Sequence, residues 1–241
     1  MEPRALRVVL LGPPGAGKGT QASQICRGWR VPHISTGDIL REHCRRGTDL
    51  GRQAQSFMAE GRLVPDSLIL GMLRQRLENH DTARGFLLDG FPRTTIQAES
   101  LEAYLQEVDR PLLRVLQLKL EDETIVRRLS LRRTCIRCGR IYHLEQNAPR
   151  VADRCDHDGQ TLEQRTDDRE AVIRTRLQVY HEQTAPLVSF YAQRDLLSEV
   201  DAALPIQEIQ GRIARLLTSC LRPLRSTRRA SAGSVRRSLQ I

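Results

Sequence analysis

The chain predicts an α/β fold, a mainly parallel sheet flanked by helices, on three observations. Short apolar runs alternate with helical patterns along most of its 241 residues. Each run has the length and composition of a buried strand. A glycine-rich loop joins the first run to the first helical pattern, and strand–helix alternation of this kind favours parallel pairing with right-handed crossovers.

The elements follow in order. "LRVVLL" (6–11) is a β-rich run that stops at Gly12. Lys18 to Trp29 reads as a helix. "GFLLDG" (85–90), "LLRVLQLKL" (112–120) and "LLSEVDA" (196–202) are further strands. Helical patterns occupy 66–79, 94–107, 122–132, 167–194 and 205–217. Two stretches interrupt the rhythm. Residues 36–64 are helical but bring no strand, and 132–168 hold turn residues and cysteines with little helical period. Both read as inserts on a body formed by 1–35, 65–131 and 169–217. Residues 218–241 are rich in serine and arginine with little apolar periodicity, and read as a disordered tail.

Composition excludes several classes. No run of eighteen apolar residues exists, so no transmembrane helix is expected. The N-terminal apolar stretch has no small-residue cleavage site after it and reads as a strand, not a signal peptide. Six cysteines are too few for a disulfide scaffold, which favours a cytoplasmic protein with reduced thiols. The formal net charge is +9, but the six arginines of 218–241 stand there without an acid. The body therefore carries only about +3, a poor basis for nucleic-acid binding by anything but the tail.

"GPPGAGKGT" (12–20) follows a strand and opens a helix, the context a phosphate-binding loop requires. Gly12, Gly15 and Gly17 let the backbone curl so that successive N–H groups face inward, and the helix N-terminus adds positive potential. Ala16, Gly19 and Thr20 complete the loop, and Lys18 reaches the β- and γ-phosphates. Further along, Cys135-x-x-Cys138 and Cys155-x-x-Asp158 are two close pairs separated by sixteen residues, which is zinc-ligand spacing. His157 is a rival to Asp158 as fourth ligand, and the two-residue spacing favours Asp158.

"GPPGAGKGTQA" (12–22), "ISTGDILR" (34–41), "GFLLDGFPRT" (85–94) with Gln97, and "TDDR" (166–169) occur in the same order in adenylate kinases. Over about residues 6–217 the chain resembles that family, and in particular its bacterial long-lid form with a zinc-binding lid. The resemblance implies a P-loop NTPase-type core, an AMP-binding insert at 36–64 and a zinc-bearing lid at 132–168. It implies reversible transfer from Mg-ATP to AMP, giving two ADP, by a monomer. Lys18, Arg93, Arg128, Arg132, Arg165 and Arg176 match the catalytic cations, with Arg128 and Arg132 also on ATP. Thr36, Arg41, Leu63, Val64, Gly90, Arg93, Gln97, Arg165 and Arg176 match the AMP site. Asp38 and Asp89 match the carboxylates that hold hydrated Mg²⁺.

Physical chemistry supports these assignments. Two nucleotides bring about six negative charges into one cleft, taking their phosphates as ionised. Phosphoryl transfer needs positioning and positive charge more than covalent help. Arginine forks match phosphate oxygens two at a time, and an amide such as Gln97 can donate and accept at an adenine edge. The choice of Arg128 over Arg127 and of Arg132 over Arg133 rests on alignment. Leu131 stands where the family has a hinge glycine, which bears on lid motion. A four-ligand zinc with no open position is structural, and would fold a lid too small to have a stable core. A UMP/CMP kinase, a GTP-using relative and a non-catalytic zinc- and RNA-binding module are the competing readings. The last of these would contact RNA through its basic tail and zinc lid, and its binding would fall steeply with salt.

Overall fold

A computed structural model of the chain describes residues 5–221. Five strands form one sheet: β1 (Leu6–Leu11), β2 (His33–Ser35), β3 (Gly85–Asp89), β4 (Arg114–Lys119) and, last in the chain, β8 (Leu197–Asp201). Their order is β2-β3-β1-β4-β8, and every neighbouring pair is parallel. The order reverses at β1, where Leu10 pairs with Asp89 on one side and Leu116 on the other. In open α/β sheets ligands bind at such a switch point, outside the carboxyl ends of the strands. Gly12, Thr36 and Gly90 each follow a strand at that edge.

The apolar runs are continuous because both faces of the sheet are covered. Val9, Leu11, Phe86, Leu88 and Val115 pack beneath α4 (Asp66–Leu77), α5 (Thr95–Glu107) and α8 (Pro186–Ala192). The alternate residues Val8, Leu10, Leu87, Leu116 and Leu118 meet α1 (Lys18–Trp29) and α9 (Ile206–Leu221) on the opposite face. A smaller apolar cluster joins α6 (Asp122–Ser130) to α7 (Glu170–Val179) through Ile125, Leu129, Ile173 and Leu177.

Two segments stand outside this sandwich. Helices α2 (Thr36–Arg45) and α3 (Asp49–Ala59) pack against each other. Ser35 and Thr48 cap them by accepting from the backbone N–H groups of Asp38 and Gly51, which satisfies helix-terminal donors. The second segment is a separate antiparallel sheet in the order β6-β5-β7, formed by β5 (Arg132–Cys135), β6 (Ile141–His143) and β7 (Leu162–Glu163).

Four local features differ from the sequence reading. Strand β2 is only three residues long, too short to register as an apolar run. Helix α6 stops at Ser130, so Arg132 lies on a strand. The stretch 167–194 is not one helix: a 3₁₀ turn (Thr166–Asp168), α7, a π-helical turn (Tyr180–Thr184) and α8 follow one another. Residues 218–221 are helical, because α9 continues until Leu221 packs against the core. The rest of the basic tail lies outside the described residues. Leu131 has φ −93°, a conformation open to any residue, so this backbone does not require glycine there. Among the described residues no helix is long and apolar enough to cross a membrane.

Candidate active site

The loop after β1 is shaped by its glycines. Gly12 has φ +141°, and a Cβ there would lie 2.5 Å from the carbonyl oxygen of Leu118 on β4. Gly15 (φ +81°) and Gly17 (φ +86°) are also left-handed. Helix α1 begins at Lys18 with no side-chain cap, which leaves its first N–H groups free for an anion. Ala16 is buried, and Gly19 and Thr20 lie in the first turn. Lys18 Nζ donates to the carbonyls of Gly12 (2.8 Å) and Pro13 (2.9 Å). Burial pushes its ammonium down to about 8; Asp89 opposes this, while Arg93, Arg176 and Arg132 add to it.

Asp89 closes β3 and is almost buried. Its Oδ2 lies 3.3 Å from His33 Nε2 and faces the first turn of α1, 3.8 Å from where a Gly19 Cβ would stand. Asp38 has different surroundings. It sits on α2, half exposed, 2.5 Å from Arg41 Nη2. Burial opposes its ionisation, but Arg41 holds its carboxyl below the usual range.

Two cavities open beside the loop. One, about 590 Å³, is lined by Thr36, Arg41, Leu63, Val64, Gly90, Arg93, Gln97 and Arg176. The other, about 530 Å³, is lined by Gly12, Pro14, Lys18, Arg93, Arg176 and Tyr180. Arg93 and Arg176 line both. Thr36 Oγ1 donates to the Gly90 carbonyl at 2.9 Å. Gln97 accepts from the Arg93 N–H at 2.7 Å and donates to Asp66 at 2.5 Å. Both ends of that amide are thus already held.

The remaining arginines converge on the same region. Arg132 grips Asp168 through two bonds, 2.7 and 2.6 Å, and Asp168 is fully buried. Arg176 Nη1 contacts the Asp167 carboxylate at 3.0 Å and Asp168 at 3.5 Å. Arg165 donates to Thr134 Oγ1, and Arg128 to the Ala202 carbonyl, both at 3.1 Å. Their neighbours face elsewhere: Arg127 is exposed and pairs with Glu145, and Arg133 bonds backbone carbonyls. Burial, reinforced by Arg176, lowers Arg93 to about 10; burial with Arg132 and Arg41 does the same to Arg165. Cations this crowded repel one another and favour an incoming polyanion. Asp167 and Asp168 supply the only buried carboxylates bonded to these arginines among the described residues, and sequence reasoning assigned them no role. The signal was the doubled acid in "TDDR" beside so many arginines.

The small sheet carries the cysteine cluster. Ligand atoms of Cys135, Cys138, Cys155 and Asp158 lie within 4.8 Å of one another; His157 is outside the group. Each pair is a matching tight turn. The N–H of Gly139 bonds the Cys135 carbonyl (2.9 Å), and the N–H of Gly159 bonds the Cys155 carbonyl (2.8 Å). Both glycines are left-handed, φ +73° and +69°. The Cys138 and Cys155 sulfurs are 3.6 Å apart. These four donors can hold a metal ion.

Comparison with known proteins agrees with this geometry. The family model described as adenylate kinase matches residues 10–196. The chain is 50% identical over 212 residues to an adenylate kinase of Moorella thermoacetica, spanning 88% of this chain and 98% of the relative. It is 49% identical to that of Acidothermus cellulolyticus, over the same shares. With that of Methanothrix thermoacetophila it shares 47% over 213 residues, 88% and 99% of the two chains. A likeness this high across nearly the whole of each relative, on a sheet with its phosphate loop at the switch point, means that the chain belongs to the adenylate kinase family.

Proposed function

We propose that the cleft passes the γ-phosphoryl group of ATP to AMP and back, and that the two cavities divide the nucleotides between them. The observation that carries this division is that Arg93 and Arg176 line both. A phosphoryl group in transit between two sites is held best by cations common to both. The loop from Gly12 to Thr20, with Lys18, takes the ATP phosphates. Lys18 exchanges its bonds to the Gly12 and Pro13 carbonyls for phosphate oxygens.

The cavity lined by Thr36, Arg41 and Gln97 takes AMP. Arg41 and Arg93 meet its phosphate, Thr36 and the Leu63–Val64 segment line ribose and base, and Gly90 leaves room beside Arg93. Gln97 retains one acceptor lone pair and one N–H for the adenine edge, since its other two positions bind Arg93 and Asp66. An AMP phosphate oxygen attacks the γ-phosphorus in line as the bond to the β-bridging oxygen breaks. No protein nucleophile or proton transfer is required. Arg93, Arg132, Arg165 and Arg176 meet charge on the equatorial oxygens, and Arg128 and Arg132 hold ATP. Mg²⁺ bound with ATP would offset phosphate charge, and Asp89 and Asp38 would be the carboxylates that accept from its water shell.

The cysteine cluster suits structural zinc. Tetrahedral Zn–S bonds of ~2.3 Å put two sulfurs about 3.8 Å apart, close to the Cys138–Cys155 separation. Four protein ligands leave no position for reactive water. The sheet's own core is Cys135, Tyr142, Cys155 and Leu162, so half of it is metal ligand. A domain with so little apolar burial needs the metal to fold. A monomer suffices because one chain supplies every group named, and the reduced cysteines fit a cytoplasmic setting. A coupled assay with Mg-ATP against AMP, CMP, UMP and GMP tests the reading. Turnover with AMP well above the rest is expected; strong turnover with UMP and none with AMP would overturn it.

A further inference from the structure

We propose that Thr184 is a positioning residue for Arg93, tying it to the helix that carries Arg176. The inference rests on the reading of Arg93 as a phosphate-binding cation. Arg93 lies in the irregular segment after β3, with no helix or strand to hold its backbone. Side chains hold it instead. Its N–H donates to Gln97 Oε1 at 2.7 Å, and its carbonyl accepts from Thr184 Oγ1 at 2.8 Å. Its own Nε donates to the Gly90 carbonyl at 2.8 Å.

Thr184 arrives from 91 residues away and is nearly buried. It closes the π-helical turn in which the Ala185 N–H bonds the Tyr180 carbonyl at 2.8 Å. That turn explains its aim. Four α-helical residues overshoot a full turn by about 40°. Four π-helical residues, at about 4.4 per turn, fall short by roughly 33°. One step of each, from Arg176 to Tyr180 and on to Thr184, nearly cancels. Arg176 and Thr184 therefore share one face toward the cleft, and both line the cavity with Lys18. In an uninterrupted α-helix Thr184 would be rotated further round, away from the Arg93 carbonyl. Thr184 thus links the helical segment that carries Arg176 to the backbone of Arg93, the other arginine common to both cavities. Serine and threonine bonds of this kind leave a buried carbonyl unpaired when removed.

The test is a set of Thr184 variants crossed with an Arg93 variant, in the full chain. T184V keeps the shape and loses the hydroxyl; T184S keeps the hydroxyl. T184V is expected to lower kcat roughly 10- to 100-fold, the scale of a small misplacement of a catalytic group. KM for AMP should change far less, and T184S should recover most of the rate. In an R93A background T184V should lower kcat by no more than about twofold, because no guanidinium remains to be placed. Wild-type kcat in T184V, or an undiminished loss in the R93A background, overturns the proposal. If T184V does not fold, T184A is read through the same cycle. An R93A enzyme with normal kcat would instead refute the role of Arg93 itself.

Discussion

Nucleotide binding should draw a proton from solution, and Lys18 should be where it goes. Burial among Arg93, Arg176 and Arg132 lowers this ammonium to about 8, against an opposing pull from Asp89. Phosphate at the loop restores the missing negative charge and returns the group to at least its ordinary value of about 10.4. At pH 8 half of the free protein has a neutral lysine, so binding takes up about 0.5 proton. At pH 7 the uptake falls to about 0.1, and at pH 9 it rises to about 0.9. Above pH 8 the apparent affinity from this group weakens roughly tenfold per pH unit. The sign for stability is the reverse of a salt-bridged lysine. The folded value is depressed, so between pH 8 and about 10.4 the unfolded chain binds more protons. The cost of burying the charge, about 3 kcal/mol, is fully present below pH 8 and is relieved across that window. Titration calorimetry with a non-hydrolysable ATP analogue, in two buffers of different ionisation enthalpy at pH 7, 8 and 9, measures the uptake directly. K18M removes the lysine and leaves the ionisation of the phosphates as background. Uptake that is equal at pH 7 and pH 9, or that is undiminished in K18M, refutes the reasoning.

D168N removes the charge partner of Arg132 from a fully buried site. Breaking a buried pair costs about 3–5 kcal/mol, toward the lower end where asparagine keeps one acceptor. A thermal melt should fall by roughly 6–12 °C for a body of this size, and kcat should fall with it; an unchanged melt would show the pair to be dispensable. Elemental analysis should find about one zinc per chain, retained in H157A and lost in D158A and C138S. Chelation should lower the melting temperature, and loss of turnover in the cold with no change in melting would contradict a structural metal. G12A forces a Cβ to 2.5 Å from the Leu118 oxygen at φ +141°. It should destabilise by at least ~2 kcal/mol, as read by urea denaturation, and should abolish turnover.

Local chemistry was legible in the chain itself. A strand, three glycines and a lysine in close succession specify a phosphate loop, because only that backbone can turn so tightly while facing its N–H groups inward. Two Cys-x-x pairs specify a metal-sized cluster, because a tight turn closed by Gly139 or Gly159 brings residues three apart to one point. The four long apolar runs specify a parallel sheet covered on both faces. The short strand β2 escaped notice, since three residues show no period. So did the helical end of α9, whose last leucine is fixed by packing rather than by propensity.

What the sequence by itself determined is therefore the class of fold, the glycine-rich loop, the metal-ligand spacing and, through family motifs, a list of candidate cations. Which cations meet was decided only in three dimensions. Arg127 and Arg128 are adjacent and chemically identical, yet one faces solvent and Glu145 while the other bonds the Ala202 carbonyl. Asp168 became the anchor of Arg132 because folding buries it there, where a carboxylate must be paired. Thr184 reached Arg93 across 91 residues because a π turn rotated it into place. Such partners are set by distance and burial, and residues far apart in sequence carry no local pattern that announces them.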